Sequence, residues 1–160
     1  SGEELEEYKK LLLKLNNEVV AAAPEDLLIN THVCRGNYHS TFFSSGAYDS
    51  VAELLFGEEN VNAYYLEYDD ERSGGFAPLA KVTGDKKVVL GLITTKTPEL
   101  EDREKVINRI HQAAKYIPLD RLYLSPQCGF ASCEIGNKLT EEEQWEKLRL
   151  VKEIAEEVWG

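Results

Sequence analysis

The sequence predicts an α/β fold of four parallel strands joined by crossover helices. Two observations carry this. Stretches with helical and strand periodicity alternate along the chain in the order α-β-α-β-loop-β-α-β-α. Such alternation is what parallel strands with crossover connections require. In addition, residues capable of metal or acid–base chemistry fall at the C-terminal ends of the first, second and fourth strand segments. That is the edge on which parallel α/β proteins gather their active sites.

Each element has a local reason. Leu5, Tyr8, Leu12, Leu15 and Val19 recur at helical spacing and predict a first helix over 3–22, ended by Pro24-Glu25-Asp26. Leu27 to Val33 reads as the first strand. Asp49-Ser50 opens a second helix, with Ser50 and Glu53 spaced as a capping box, and the helix ends near Gly57. Asn62 to Tyr68 is the second strand. Lys87 to Thr94, with Val88, Val89, Leu90, Leu92 and Ile93, is the third. Thr97-Pro98 starts a third helix, with Pro at the first helical position and an apolar stripe of Val106, Ile110, Ala113 and Ile117. Arg121 to Ser125 is the fourth strand. Thr140 and Glu143 form a second capping box before a last helix whose apolar face is Trp145, Leu148, Val151, Ala155 and Val158. Two loops, 35–47 and 69–82, are rich in glycine and polar residues. Four strands left open expose two unpaired edges.

The chain has 160 residues, 42% of them hydrophobic, enough for one unit spanning 1–160 with a sizeable core. A net charge of −11 argues against nucleic acid or an anionic membrane surface as partner, because both select clustered Lys and Arg. No apolar run reaches bilayer-spanning length, and Ser-Gly-Glu-Glu does not open a signal peptide. Met is absent even at position 1, so the chain reads as cut from a longer one. Three widely spaced cysteines, Cys34, Cys128 and Cys133, are no disulfide framework. They read as cytoplasmic thiols available to a metal or to catalysis.

The chemistry concentrates in three strand ends: Thr31-His32-Val33-Cys34, Tyr65-Leu66-Glu67 and Ser125-Pro126-Gln127-Cys128. Alternate residues of a strand share a face, so His32 and Cys34 point the same way. One His, two Cys and one carboxylate make a four-coordinate zinc set if the strands converge. Alternation does not select Glu67 over Asp69, Asp70 or Glu71. The bland alternative for His32 and Cys34 is a strand with one buried polar residue and a small buried thiol. Cys133 reads as a spare thiol, His39 as a loop residue and His111 as a helix residue. Ser73-Gly74-Gly75 is not followed by a phosphate-binding helix pattern, so no nucleotide site is expected.

Longer stretches around these residues resemble a known family. His-Val-Cys-Arg-Gly-Asn at 32–37, Leu-Glu-Tyr-Asp-Asp-Glu-Arg-Ser-Gly at 66–74, Leu-Gly-Leu-Ile-Thr-Thr-Lys at 90–96 and Leu-Ser-Pro-Gln-Cys-Gly-Phe at 124–130 look like the zinc-dependent catalytic barrel of cobalamin-independent methionine synthase. They look more closely like its shorter methionine-synthase-II-like paralogs. The resemblance implies the C-terminal half of a (β/α)8 barrel, with His32, Cys34, Glu67 and Cys128 as ligands of Zn2+. It implies alkyl (methyl) transfer to a small thiol such as homocysteine. Arg35, Asn37, Asp69 and Arg72 are candidate substrate-binding residues, while no residue is singled out as catalytic. The N-terminal half of the barrel, or a second copy of the chain, is the expected partner, and the segment by itself is expected to be inactive. Two alternatives stand beside this reading: a different, coenzyme M-like thiol acceptor, or a non-catalytic half-barrel with an incomplete metal site. One departure bears on the donor. Methionine synthases proper carry His-Ser-Pro where this chain has Lys96-Thr97-Pro98. A lysine does not replace histidine as a proton shuttle near neutral pH, which argues against methyl-tetrahydrofolate.

Overall fold

In a computed structural model, which describes residues 2–160, the helices are α1 (Gly2–Ala21), α2 (Ala52–Glu58), α3 (Arg103–Ala113) and α4 (Glu141–Trp159). The strands are β1 (Asn30–Val33), β2 (Ala63–Glu67), β3 (Lys87–Ile93) and β4 (Leu122–Pro126). They form one sheet in the order β1-β2-β3-β4, every pair parallel. The expected class and strand count hold. Among the described residues no helix is long and apolar enough to cross a membrane.

The two faces of the sheet differ. Tyr64, Leu66, Val88, Leu90, Leu92 and Leu122 pack against Phe56 of α2, Val106 and Ile110 of α3 and Ile154 of α4. That is the core. Tyr48, Phe56 and Tyr64, then Tyr68 and Phe76, make a chain of tilted ring contacts with centroids 4.7 to 5.9 Å apart, which seats α2 and the loop after β2. On the opposite face the register aligns His32, Tyr65, Val89 and Tyr123 in one row. The next row toward the strand ends is Glu67, Gly91 and Ser125. Gly91 is glycine for a steric reason. A Cβ there would lie 2.7 Å from the Leu66 carbonyl and 2.8 Å from Gln127 Cα. A register shift between Gly91 and Ile93 then turns the chain beyond β4 across the sheet.

Several local expectations are corrected. The α1 stripe of Leu5, Tyr8, Leu12, Leu15 and Val19 is exposed, and α1 contributes no buried residue. The helix is held by Val20, which packs on the edge of the core, and by its polar side, where Asn17 donates to the Glu58 carbonyl and accepts from Asn60 N, and Lys9 donates to the Ser50 carbonyl. Leu27 and Leu28 are exposed and lie outside β1. Ser50 and Glu53 form no capping box, because 48–50 is a 3-10 turn, Val51 takes the cap position, and Glu53 pairs with Lys81. The third helix starts at Arg103 rather than at Pro98, capped by Asp102, which accepts from Lys105 N at 3.0 Å. The intervening segment is held by Glu101, which accepts from Thr94 N at 2.7 Å and pairs with Lys147 at 3.1 Å. The Thr140–Glu143 capping box is present. On α4 the buried positions are Ile154 and Lys147, with Trp145 half exposed.

Lys147 is fully buried, and its ammonium sits between both Glu101 oxygens and the Glu99 carbonyl. Removing the charge of Glu101 strands that ammonium. Glu101→Gln is expected to lower stability by about 3 kcal/mol in urea denaturation, the scale of a broken buried pair. Lys147→Met, which removes the buried charge itself, costs less. The exposed apolar face of α1, with half-exposed Tyr65 and Tyr123 on the open sheet face, also sets an expectation for the isolated 160 residues. They should associate into dimers or larger assemblies in light scattering; a compact monomer would contradict this.

Candidate metal centre

The parallel register brings three strand ends to one place. Cys34 follows β1 directly, Glu67 is the last residue of β2, and Cys128 lies two residues beyond β4. With His32 on β1, their ligand atoms all lie within 4.8 Å of one another. The two sulfurs are 3.9 Å apart. Two thiolates at about 2.3 Å from a tetrahedral metal would stand about 3.8 Å apart. His32 Nδ1 is 3.0 Å from the Tyr65 carbonyl oxygen, which can only accept, so Nδ1 carries a proton and Nε2 faces the cluster. Cys34 Sγ accepts from Gly36 N at 3.3 Å. That turn requires φ +98° at Gly36, where a Cβ would also meet Phe43 N at 2.7 Å.

Glu67 supplies the test of fit. Its side chain is fully buried, yet neither carboxylate oxygen has a hydrogen-bond partner. Its nearest cationic atoms are His32 Nε2 at 3.6 Å and Arg72 Nη2 at 3.7 Å. A buried carboxylate left in this state is costly unless a cation completes it. Its backbone is fixed independently: Glu67 N donates to Tyr48 Oη at 2.9 Å, and its carbonyl accepts from Arg35 Nη1 at 3.1 Å and from Ser73 Oγ. Two thiols, an imidazole and a carboxylate whose oxygens accept no hydrogen bond are a donor set that fits zinc.

Protonation follows the same charge pattern. Contacts with Cys128 and then Glu67 outweigh burial and raise the His32 pKa to about 11. Burial raises Cys34, whereas the His32 contact brings Cys128 below the ordinary thiol range. Burial pushes the Glu67 carboxyl up, but His32 and its other polar neighbours outweigh it and hold it low.

The candidate substrate residues surround this centre, and most of their polar atoms are engaged by the protein, although Arg72 Nε is buried without a hydrogen-bond partner. Arg35 is buried and donates to Tyr48 Oη at 2.7 Å, Ser73 Oγ at 3.1 Å and the Gly46 carbonyl. Asn37 donates to the Gly129 carbonyl at 2.6 Å and Ser132 Oγ at 2.9 Å. Arg72 pairs with Asp69 at 2.8 Å and with Asp70, and its guanidinium lies over the Phe42 ring. Burial raises the Asp69 pKa in spite of the Thr94 and Arg72 contacts. Cys133 is not in the cluster, and His39 is bonded to the Gly136 carbonyl at 3.0 Å. His111 lies exposed on α3. Sequence reasoning missed Asn137, a buried side chain whose amide donates to the Thr95 carbonyl at 2.7 Å and to Asn37 Oδ1 at 3.0 Å. It sits in a loop with no periodic signal. A cavity of about 270 Å³, lined by His32, Tyr65, Pro126, Gln127, Cys128 and Gly129, opens beside the centre.

Known proteins share this arrangement of chain. Residues 13–157 match the profile of the family described as "Cobalamin-independent synthase, Catalytic domain". The uncharacterized Bacillus subtilis proteins YxjG and YxjH are each 52% identical, over 96% and 99% of this chain and 41% and 42% of their own lengths. A methionine synthase of Pyrococcus horikoshii is 23% identical over 63% of this chain and 26% of its own. The chain thus spans about two fifths of the length of its Bacillus relatives. A Listeria monocytogenes structure, described as a candidate vitamin-B12-independent methionine synthase, superposes with a TM-score of 0.73 at 39% identity over 95% of this chain and 41% of that one. A B12-independent methionine synthase of Shewanella, solved with selenomethionine, gives a TM-score of 0.72 at 22% identity, covering 91% of this chain and 42% of its own. The four parallel strands are the half-barrel of these structures, and the chain belongs to the cobalamin-independent synthase catalytic-domain family.

Proposed function

We propose that this chain is the metal-binding half of a zinc-dependent enzyme that transfers an alkyl group, such as methyl, to a small thiol such as homocysteine. The observation that carries the reading is the buried Glu67 carboxylate, which accepts no hydrogen bond, with His32 and the two thiols gathered around it. We take 1–160 as one unit, completed by the N-terminal half of the barrel in a longer protein. The coverage of its relatives supports this. Working thiols also favour a reducing compartment, the cytoplasm.

His32, Cys34, Glu67 and Cys128 would hold the metal. When bound, zinc lowers the pKa of a substrate thiol and keeps its sulfur anionic, as metals do for coordinated thiols. Two cysteine thiolates and a carboxylate keep such a centre electron-rich. That suits attack by sulfur on carbon better than activation of water, which favours neutral ligands. Arg72, fixed by Asp69, faces the outer oxygen of Glu67 and orients the carboxylate. Tyr65 and Pro126 line the cavity beside His32 and Cys128 and would receive the apolar part of the thiol away from water. Ligands from the other half of the barrel would complete the donor side.

A second reading, transfer to a different thiol or from a different donor, is favoured by Lys96. It stands where methionine synthases proper carry a histidine. Its side chain is buried, and burial lowers its pKa while Glu67 and Asp69 oppose that shift.

The ligand assignment is checked by elemental analysis and chelator competition on the full-length protein. Cys34→Ser and Cys128→Ser should each weaken zinc binding by about 10-fold or more, whereas Cys133→Ser should leave it unchanged. Undiminished zinc in Cys34→Ser would exclude that ligand. Activity is checked with homocysteine and several alkyl donors. Thiol alkylation should fall on zinc removal and return on reloading, and methyl-tetrahydrofolate should be a poor donor. Full turnover without zinc would refute the mechanism.

A further inference from the structure

Lys96 stands on the loop after β3, on a different strand from every residue of the cluster. Its ammonium nevertheless reaches both sides of the centre. Nζ donates to Asn37 Oδ1 at 3.0 Å, to Gln127 Oε1 at 3.3 Å and to the Gly36 carbonyl at 3.4 Å. Gly36 and Asn37 follow Cys34 closely, and Gln127 precedes Cys128. A lysine ammonium has three N–H groups, and each has a protein acceptor here. None is left for a substrate anion or for a proton relay.

The acceptors are themselves tied across the mouth of the sheet. Asn37 Oδ1 also accepts from Asn137 Nδ2, and Asn37 Nδ2 reaches the Gly129 carbonyl. Gln127 Oε1 also accepts from Thr95 Oγ1 at 2.9 Å. Ser40 N donates to Asn137 Oδ1, and Lys138 N donates to Ser40 Oγ. Lys96, Asn37, Gln127, Asn137 and Thr95 are all buried. The loops behind β1 and β4, the two edge strands, are thus bound to one another through a charged group on neither.

We propose that Lys96 is a positioning residue, a buried cationic clamp that fixes the segment behind Cys34 against the segment around Cys128 and so sets the separation of the two thiols. This rests on the zinc reading of His32, Cys34, Glu67 and Cys128 for its consequence, though not for the clamp itself. A charge-assisted hydrogen bond is roughly twice as strong as a neutral one. Three of them on one buried ammonium rigidify a network that would otherwise depend on amides alone. Lys96 accordingly works as a fixed cross-link.

The test uses the full-length protein with Lys96→Met, which keeps chain length and apolar bulk, and with Lys96→Gln as a second variant in case the first does not fold. Amide hydrogen exchange on the zinc-stripped proteins should rise about 10-fold in both 36–41 and 129–138, with β3 and α3 unchanged. Chelator competition should show zinc affinity falling about 10-fold. The absorption spectrum of the cobalt-substituted variant should also shift, which a merely stabilising side chain would not cause. Faster exchange confined to 94–97 would overturn the clamp. Loosening of both loops with zinc affinity and cobalt spectrum unchanged would overturn its role in positioning the thiols. If the unmodified protein holds no zinc, the metal reading fails, and the exchange pattern alone still upholds or overturns the clamp.

Discussion

A carboxylate with no hydrogen-bond partner inside a protein must be compensated, and the architecture around Glu67 is organised by that requirement. Its backbone is pinned by Tyr48, Arg35 and Ser73, so the side chain cannot swing out to water. One oxygen faces His32 and the other faces Arg72. Gly91 beside it has no side chain, which lets the backbone beyond β4 approach closely enough to bring Cys128 to the same place. A Cβ at position 91 would press on backbone from both neighbours, and backbone yields less than the tip of a flexible side chain. The glycine and the carboxylate are therefore parts of one constraint.

The remaining polar residues form two supporting systems on either side of that carboxylate. On the β2 side, Asp69 and Asp70 hold Arg72, and Arg35 lies over the Tyr48 ring at 4.1 Å. On the β4 side, Lys96, Asn37, Gln127 and Asn137 join loops that are distant in sequence. Side chains that look like substrate contacts because they are polar and close to metal-type residues are here consumed in holding the site. What remains open in the row below them are the rings of Tyr65 and Tyr123, on either side of the buried Val89.

The start of α4 is legible at Thr140 and Glu143 because a capping box is complete within four residues. Other helix starts involve contacts with distant residues. Glu53 pairs with Lys81 rather than capping α2, and Glu101 pairs with Lys147 in the non-helical segment before α3. The α1 stripe was legible as a helix but not as an exposed one. Periodicity reports that a face is apolar, not what covers it.

The sequence by itself determined the parallel α/β class, the strand positions to within a few residues, and the placement of His32 and Cys34 on one face. These follow from periods of two and 3.6 that each segment carries alone. Its motifs also pointed to the family and to Glu67. Tertiary structure decided the rest. It set Glu67 apart from its acidic neighbours, by burying that carboxylate without a hydrogen bond while Asp69 and Asp70 pair with Arg72. It brought Cys34 and Cys128, ninety-four residues apart, to 3.9 Å. And it made Lys96 a cross-link, because only in three dimensions do its three acceptors, from two different loops, converge on one ammonium.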